Sequence, residues 1–269
     1  MAPALAAPSG WNMIFELFGP PGAGKTTFAH ALAAWLQERG EVAELVLSQR
    51  PAERAPHPDP CATVPSSHQV ATVIGRLSRP VSDMLSLVRH PSVNSPDVKT
   101  AATLLKLLPP KSMIWSIRLS QYITRLSHSW ARAAQARHIV LFDQAFIQVI
   151  CSLALLGRTP DRALIAHALD CTPKSDLLIS VEAPYETLLC RLQERERLQG
   201  RIERLFELDL QESLASVRII DQLHVLLQKR KLSMIYAFSL DRLSFPQCVN
   251  EVGNQIMAKL DTERGGVSQ

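Results

Sequence analysis

The chain has 269 residues, 46% apolar and 20% charged, with 29 basic against 25 acidic residues and a net charge of +4. That length buries a full core, and the composition is that of a soluble globular protein. A membrane span is excluded because the longest apolar run, Ala145 to Leu156, is too short and carries Gln148. The segment Met1 to Gly10 lacks the positive charge of a secretory signal. Five cysteines without close spacing argue against a disulfide framework or a zinc site and for a cytoplasmic location. No basic run with interleaved aromatics occurs, so no nucleic-acid partner is expected.

Taken in chain order, Met13-Ile14-Phe15 and Leu17-Phe18 read as a buried strand. It runs into Gly19-Pro20-Pro21-Gly22-Ala23-Gly24-Lys25-Thr26, which fits the phosphate-loop pattern G-x-x-x-x-G-K-[ST] without a mismatch. Thr27 to Leu36 reads as the helix leaving the loop, stopped at Arg39-Gly40. Further strands are expected at Glu41–Ser48, His138–Phe142, Asp176–Val181 and Leu232–Phe238, with helices between them. Strands alternating with helices predict a three-layer α/β/α fold around a five-stranded parallel sheet. One domain is expected over residues 1–261, followed by a disordered tail at 262–269. Gln49 to Ser66 is proline-rich and irregular. Helices then fill an insert of about residues 66–136, larger than a crossover needs, and expected to bind the acceptor.

The phosphate loop carries a definite chemistry. Glycines 19, 22 and 24 let the backbone wrap a phosphate, and the N–H groups through Ala23, Thr26 and Thr27 converge on its oxygens at a positive helix end. Lys25 is expected to reach the β- and γ-phosphates of ATP, and the Thr26 hydroxyl to hold Mg²⁺. Asp143, at the end of the third predicted strand, is where such proteins hold the metal or orient the attacking group; the alternative is a helix cap. Arg191, Arg195, Arg197, Arg201 and Arg204 follow the fourth strand. They suit a lid at about 187–207 that neutralises charge on a transferred phosphoryl group, or else a solvated helix laced by Glu194, Glu196, Glu203 and Glu207. Arginine makes up 21 of the 29 basic residues, as a bidentate grip on phosphate or a GC-rich genome would produce. Arg118, Arg125 and Arg132 recur every seven residues on one helix, a stripe that lines an acceptor pocket, with Arg118 best placed, or is ordinary surface, the reading for Arg125 and Arg132.

With these pieces placed, the chain resembles the nucleoside and nucleotide kinases of the phosphate-loop proteins, and thymidylate kinases most. Motif identity is strongest at the phosphate loop. Ser116-Ile117-Arg118-Leu119-Ser120-Gln121 resembles that family's Ala-Asp-Arg-x-x-His helix, whose arginine helps hold the acceptor. Val181 to Glu186 with Arg191 and Arg195 resembles its strand, proline and arginine lid, and Ser239 to Arg242 its adenine loop. Two positions depart from the pattern. Its Arg-Glu-Pro stands here as Gln49-Arg50-Pro51, and its Asp-Arg pair as Asp143-Gln144. The resemblance implies Arg50, Arg118 and Gln144 as acceptor-binding residues. With a cation lost at Gln144, a neutral hydroxyl acceptor, or an acceptor with its charge placed elsewhere, fits better than a nucleoside monophosphate. The family often pairs through helices beside the sheet, which implies a homodimer. Two functions follow: ATP·Mg²⁺-dependent phosphoryl transfer to a small-molecule acceptor, or a nucleotide-binding regulator that signals to a partner through the same loop.

Overall fold

The computed structural model describes residues 12–48, 96–157, 161–198, 210–238 and 244–266. Arg50, the arginines at 201 and 204, the predicted helix between residues 70 and 88, and the Ser239 to Arg242 loop lie outside them. The five strands are β1 (Met13–Phe18), β2 (Ala43–Val46), β3 (Ile139–Phe142), β4 (Leu177–Glu182) and β5 (Met234–Phe238). They form one wholly parallel sheet in the order β2-β3-β1-β4-β5. β1 therefore sits in the centre, and all carboxyl ends share one rim, where ligands of such sheets bind.

Both faces of the sheet are covered, which is why its central strands read as continuous apolar runs. Met13, Phe15 and Leu17 point into a core shared with α1 (Lys25–Glu38) and α8 (Ser244–Gly266). Ile14 and Phe18 point the other way. That second core is closed by α2 (Pro96–Leu107), α3 (Met113–Ala133), α4 (Phe146–Leu156), α5 (Arg162–Asp170) and α7 (Leu210–Lys229). Here Trp130 of α3 stacks on Phe142 of β3 with ring centroids 5.1 Å apart. The remaining helix, α6 (Tyr185–Leu198), follows β4 past Pro184.

Two expectations change in detail. β2 is shorter than Glu41–Ser48, because Ser48 leaves the ladder and gives its N–H to the Asp143 carboxylate instead. The tail is not disordered from residue 262: α8 continues to Gly266. Arg264 holds that last turn to the body by donating to both carboxylate oxygens of Glu41, each at 2.8 Å. The segment expected as a lid is helical from Tyr185 to Leu198, with its inner side already packed on the phosphate loop.

Glycine matters most where helices or loops touch. At Gly253, α8 crosses directly over the Trp35 ring of α1, and a Cβ there would stand 2.6 Å from ring carbons. Trp35 is held from both sides, since its Nε1 donates to Asn250 Oδ1 at 3.2 Å and the Arg39 guanidinium covers its ring at 3.5 Å.

Candidate functional site

The phosphate loop leaves β1 at Gly19 and enters α1 at Lys25. Gly19 lies so close to β4 that any side chain would strike the Val181 carbonyl. Gly24, at φ 91°, adopts the left-handed conformation that lets the loop turn straight into the helix. The helix start has no side-chain cap, so its first N–H groups are available to an anion. Ala23 is buried and closes the turn by donating its N–H to the Pro20 carbonyl at 3.2 Å. Thr27 is exposed on the first turn.

Lys25 is 6% exposed. Its ammonium donates to the carbonyls of Gly19 at 2.8 Å and Pro20 at 2.9 Å, so it lies across the loop it serves. A second cation approaches from α6. Arg191 donates Nη1 to the Gly22 carbonyl at 3.0 Å, while the Leu192 side chain and the Leu188 backbone of the same helix lie against Gly22. Arg195, one turn on and half-buried, shares that helix side; Arg197 is exposed, six residues from Arg191 and so turned away from it. Of the arginines expected in the lid, the described structure brings Arg191 to the loop.

Across the loop stands Asp143, which is fully buried. Its Oδ2 accepts from the Thr26 hydroxyl at 2.9 Å and from the Ser48 hydroxyl at 3.2 Å, and its Oδ1 from the Ser48 N–H at 2.6 Å. This is no helix cap. The end of β3, the end of β2 and the phosphate loop meet at one carboxylate. Thr26 and Asp143 thus bring a hydroxyl and a carboxylate oxygen together, the hard oxygen donors that Mg²⁺ prefers. Among the described residues no group of three or more His, Cys, Asp or Glu could hold a metal. Two protein oxygens suffice for an ion that also takes phosphate oxygens and water.

On the insert side, the Tyr122 hydroxyl of α3 donates to the Gln144 carbonyl at 3.3 Å, docking that helix at the rim. Arg118 stands one turn before Tyr122, with its guanidinium 4.9 Å from the Trp115 ring. Gln144 itself is half-buried. Tyr122 is thus the α3 residue that meets Gln144, one turn from Arg118, whereas Arg132 ends 4.0 Å from Glu44 near the start of β2.

Three further residues belong to this arrangement. Ser48 holds Asp143; Gln148 Oε1 accepts from the Gly19 N–H at 3.4 Å; and Glu16 lies behind both on β1. Glu16 had a visible signal, being the one charged residue in an otherwise apolar six-residue strand. Gln148 had one too, as the amide in the apolar run of α4.

No protein-family model matches the chain, and no curated protein matches it. Among solved structures it is similar to the deoxyadenosine kinase of M. mycoides with products dCMP and a flexible dCDP bound. That pair has 12% identity and a TM-score of 0.47, covering 91% of this chain and 100% of that one. The same enzyme with dATP bound gives 15% identity and a TM-score of 0.46, over 93% and 100%. Thymidylate kinase from Ehrlichia chaffeensis gives 16% identity and a TM-score of 0.41, over 93% and 99%. Identities this low say nothing of activity or substrate. The fold rests on the sheet order and the phosphate loop themselves.

Proposed function

We propose that this protein is an ATP·Mg²⁺-dependent phosphotransferase that moves the γ-phosphoryl group to a hydroxyl of a small molecule, in the manner of nucleoside and nucleotide kinases. The observation that carries the reading is the meeting of Thr26 and Asp143 beside a phosphate loop gripped by two cations. The loop N–H groups and Lys25 bind the β- and γ-phosphates. Thr26 and Asp143 hold Mg²⁺, which when bound offsets the negative charge of the phosphates. Arg191, whose Nη1 donates to the loop carbonyl of Gly22, supports charge that develops on the transferred group. Phosphoryl transfer asks chiefly for such positioning and electrostatic support, because its transition state is loose.

The acceptor is expected on the insert side, between Gln144, Tyr122 and Arg118. Gln144 offers an amide there and no cation, which favours a neutral hydroxyl-bearing acceptor such as a nucleoside or sugar over a monophosphate. Arg50, outside the described residues, is proposed to bind the acceptor on its sequence pattern alone. The protein is further proposed to work in the cytoplasm, as a homodimer, without nucleic acid.

The test is an ADP-release screen with ATP·Mg²⁺ against nucleosides, nucleoside monophosphates, sugars and aminoglycosides. ADP release that depends on one acceptor class supports the transferase. ATP binding with no acceptor-dependent release rejects it in favour of a nucleotide-binding regulator.

A further inference from the structure

β1 is covered on both faces, yet its fourth residue is an acid. Glu16 is 1% exposed, and no cation among the described residues pairs with it. Burial pushes its carboxyl up to about 8, against the opposing pull of the Ile147 and Gln148 backbone N–H groups. An acid kept at that cost in the central strand needs a task.

The task is visible at α4. This helix begins at Phe146, and its cap position is Ala145, which has no side-chain oxygen for the orphan N–H groups of the first turn. Glu16 Oε1 accepts from the Ile147 N–H at 2.6 Å, so a carboxyl from β1 caps the helix across 131 residues of sequence. The capped turn is the one that matters for the phosphate loop. Asp143 stands three residues before it and meets Thr26; Gln148 lies within it and meets Gly19. On its other side Glu16 borders a cavity of about 20 Å³, room for one water. The charged residues lining that cavity are Asp170, Lys174 and Arg230. Asp170 and Arg230 neutralise each other at 2.9 Å. On α4 itself, the Cys151 thiol is pushed up to about 12 by burial and stays neutral.

We propose that Glu16 is a positioning residue for phosphoryl transfer: it fixes the first turn of α4 so that Asp143 and Gln148 stay set against the phosphate loop. The role rests on the phosphotransferase reading above. It acts through the Ile147 N–H, and Glu16 itself touches neither nucleotide nor metal.

The experiment measures binding of a fluorescent ATP analogue to the full chain and to E16Q and E16L, with Mg²⁺ and with EDTA. E16Q keeps a carbonyl oxygen for Ile147 and is expected to keep the Mg²⁺ enhancement within about threefold. E16L removes the acceptor at similar volume and is expected to lower that enhancement by about tenfold or more, with little change in EDTA. A residue that only stabilised the fold would lower the melting temperature and leave the enhancement alone, and that outcome overturns the proposal. Should E16L not fold, E16Q and the unaltered chain are compared by amide hydrogen exchange at Ile147 and Gln148, with and without ATP·Mg²⁺. The weaker acceptor is expected to speed exchange there and to lower the enhancement in proportion; equal exchange, or faster exchange with an unaltered enhancement, overturns the proposal. Absence of any nucleotide binding by the unaltered chain defeats the phosphotransferase reading instead, so the two failures are distinct.

Discussion

The Thr26 hydroxyl donates to Asp143 Oδ2 at 2.9 Å, joining the first turn after the phosphate loop to the end of a strand 117 residues later. β3 pairs directly with β1 in the sheet, so the two carboxyl ends emerge side by side and present these oxygens to each other. Replacing Asp143 with asparagine keeps the shape and the acceptor for the Ser48 N–H while removing the charge. The expected result is a fall in kcat of about a hundredfold and a raised Mg²⁺ requirement, read by titrating the metal at saturating ATP.

Lys25 crosses the loop to reach the Gly19 and Pro20 carbonyls. Alanine at this position removes a buried cation from the phosphate site. Turnover is expected to fall by about a thousandfold, with the circular-dichroism spectrum unchanged.

Arg191 and Arg197 separate two accounts of α6. If the helix serves the transferred phosphoryl group, R191A lowers kcat by about tenfold or more while R197A stays within about twofold. Equal effects from the two would make α6 an ordinary solvated helix.

Glu16 also sets a pH dependence. Its folded pKa, about 8, lies above the ordinary 4.5. The folded state therefore binds the extra proton, and stability falls as pH rises from about 4.5 to about 8. His224 acts in the opposite sense, because burial lowers its pKa below 6.5 and acid destabilises the fold. Denaturant unfolding is expected to show E16Q losing the decline between about pH 4.5 and 8, worth a few kcal/mol, and keeping the acid limb set by His224. Parallel curves for the two proteins would contradict the assignment.

Gly253 gives a test of packing alone. An added methyl at G253A meets the Trp35 ring, and the expected loss is about 1–3 kcal/mol by chemical denaturation with kcat little changed.

Much of this was legible in the sequence because two-sided burial leaves a plain mark. The apolar runs of β1, β3 and β4 and the phosphate loop specified the sheet and the position of Lys25, Thr26 and Asp143. What escaped depends on contacts that no local pattern encodes. Glu16 caps a helix in another part of the chain, Ser48 leaves its ladder for Asp143, and Gln148 reaches Gly19 from the middle of an apolar helix. Arg264 likewise orders the last turn of α8 through Glu41, where composition alone suggested disorder. Among the arginines, spacing placed Arg191 and Arg195 on one helix side. That Arg191 meets the loop depends on how α6 lies against Gly22, a tertiary contact.

The most direct test of phosphoryl transfer follows the γ-phosphorus of labelled ATP in the presence of the acceptor class that triggers ADP release. The expected result is label in the acceptor, one equivalent per ADP formed, and none with K25A. Label recovered only as inorganic phosphate, or transfer undiminished in K25A, would contradict the account.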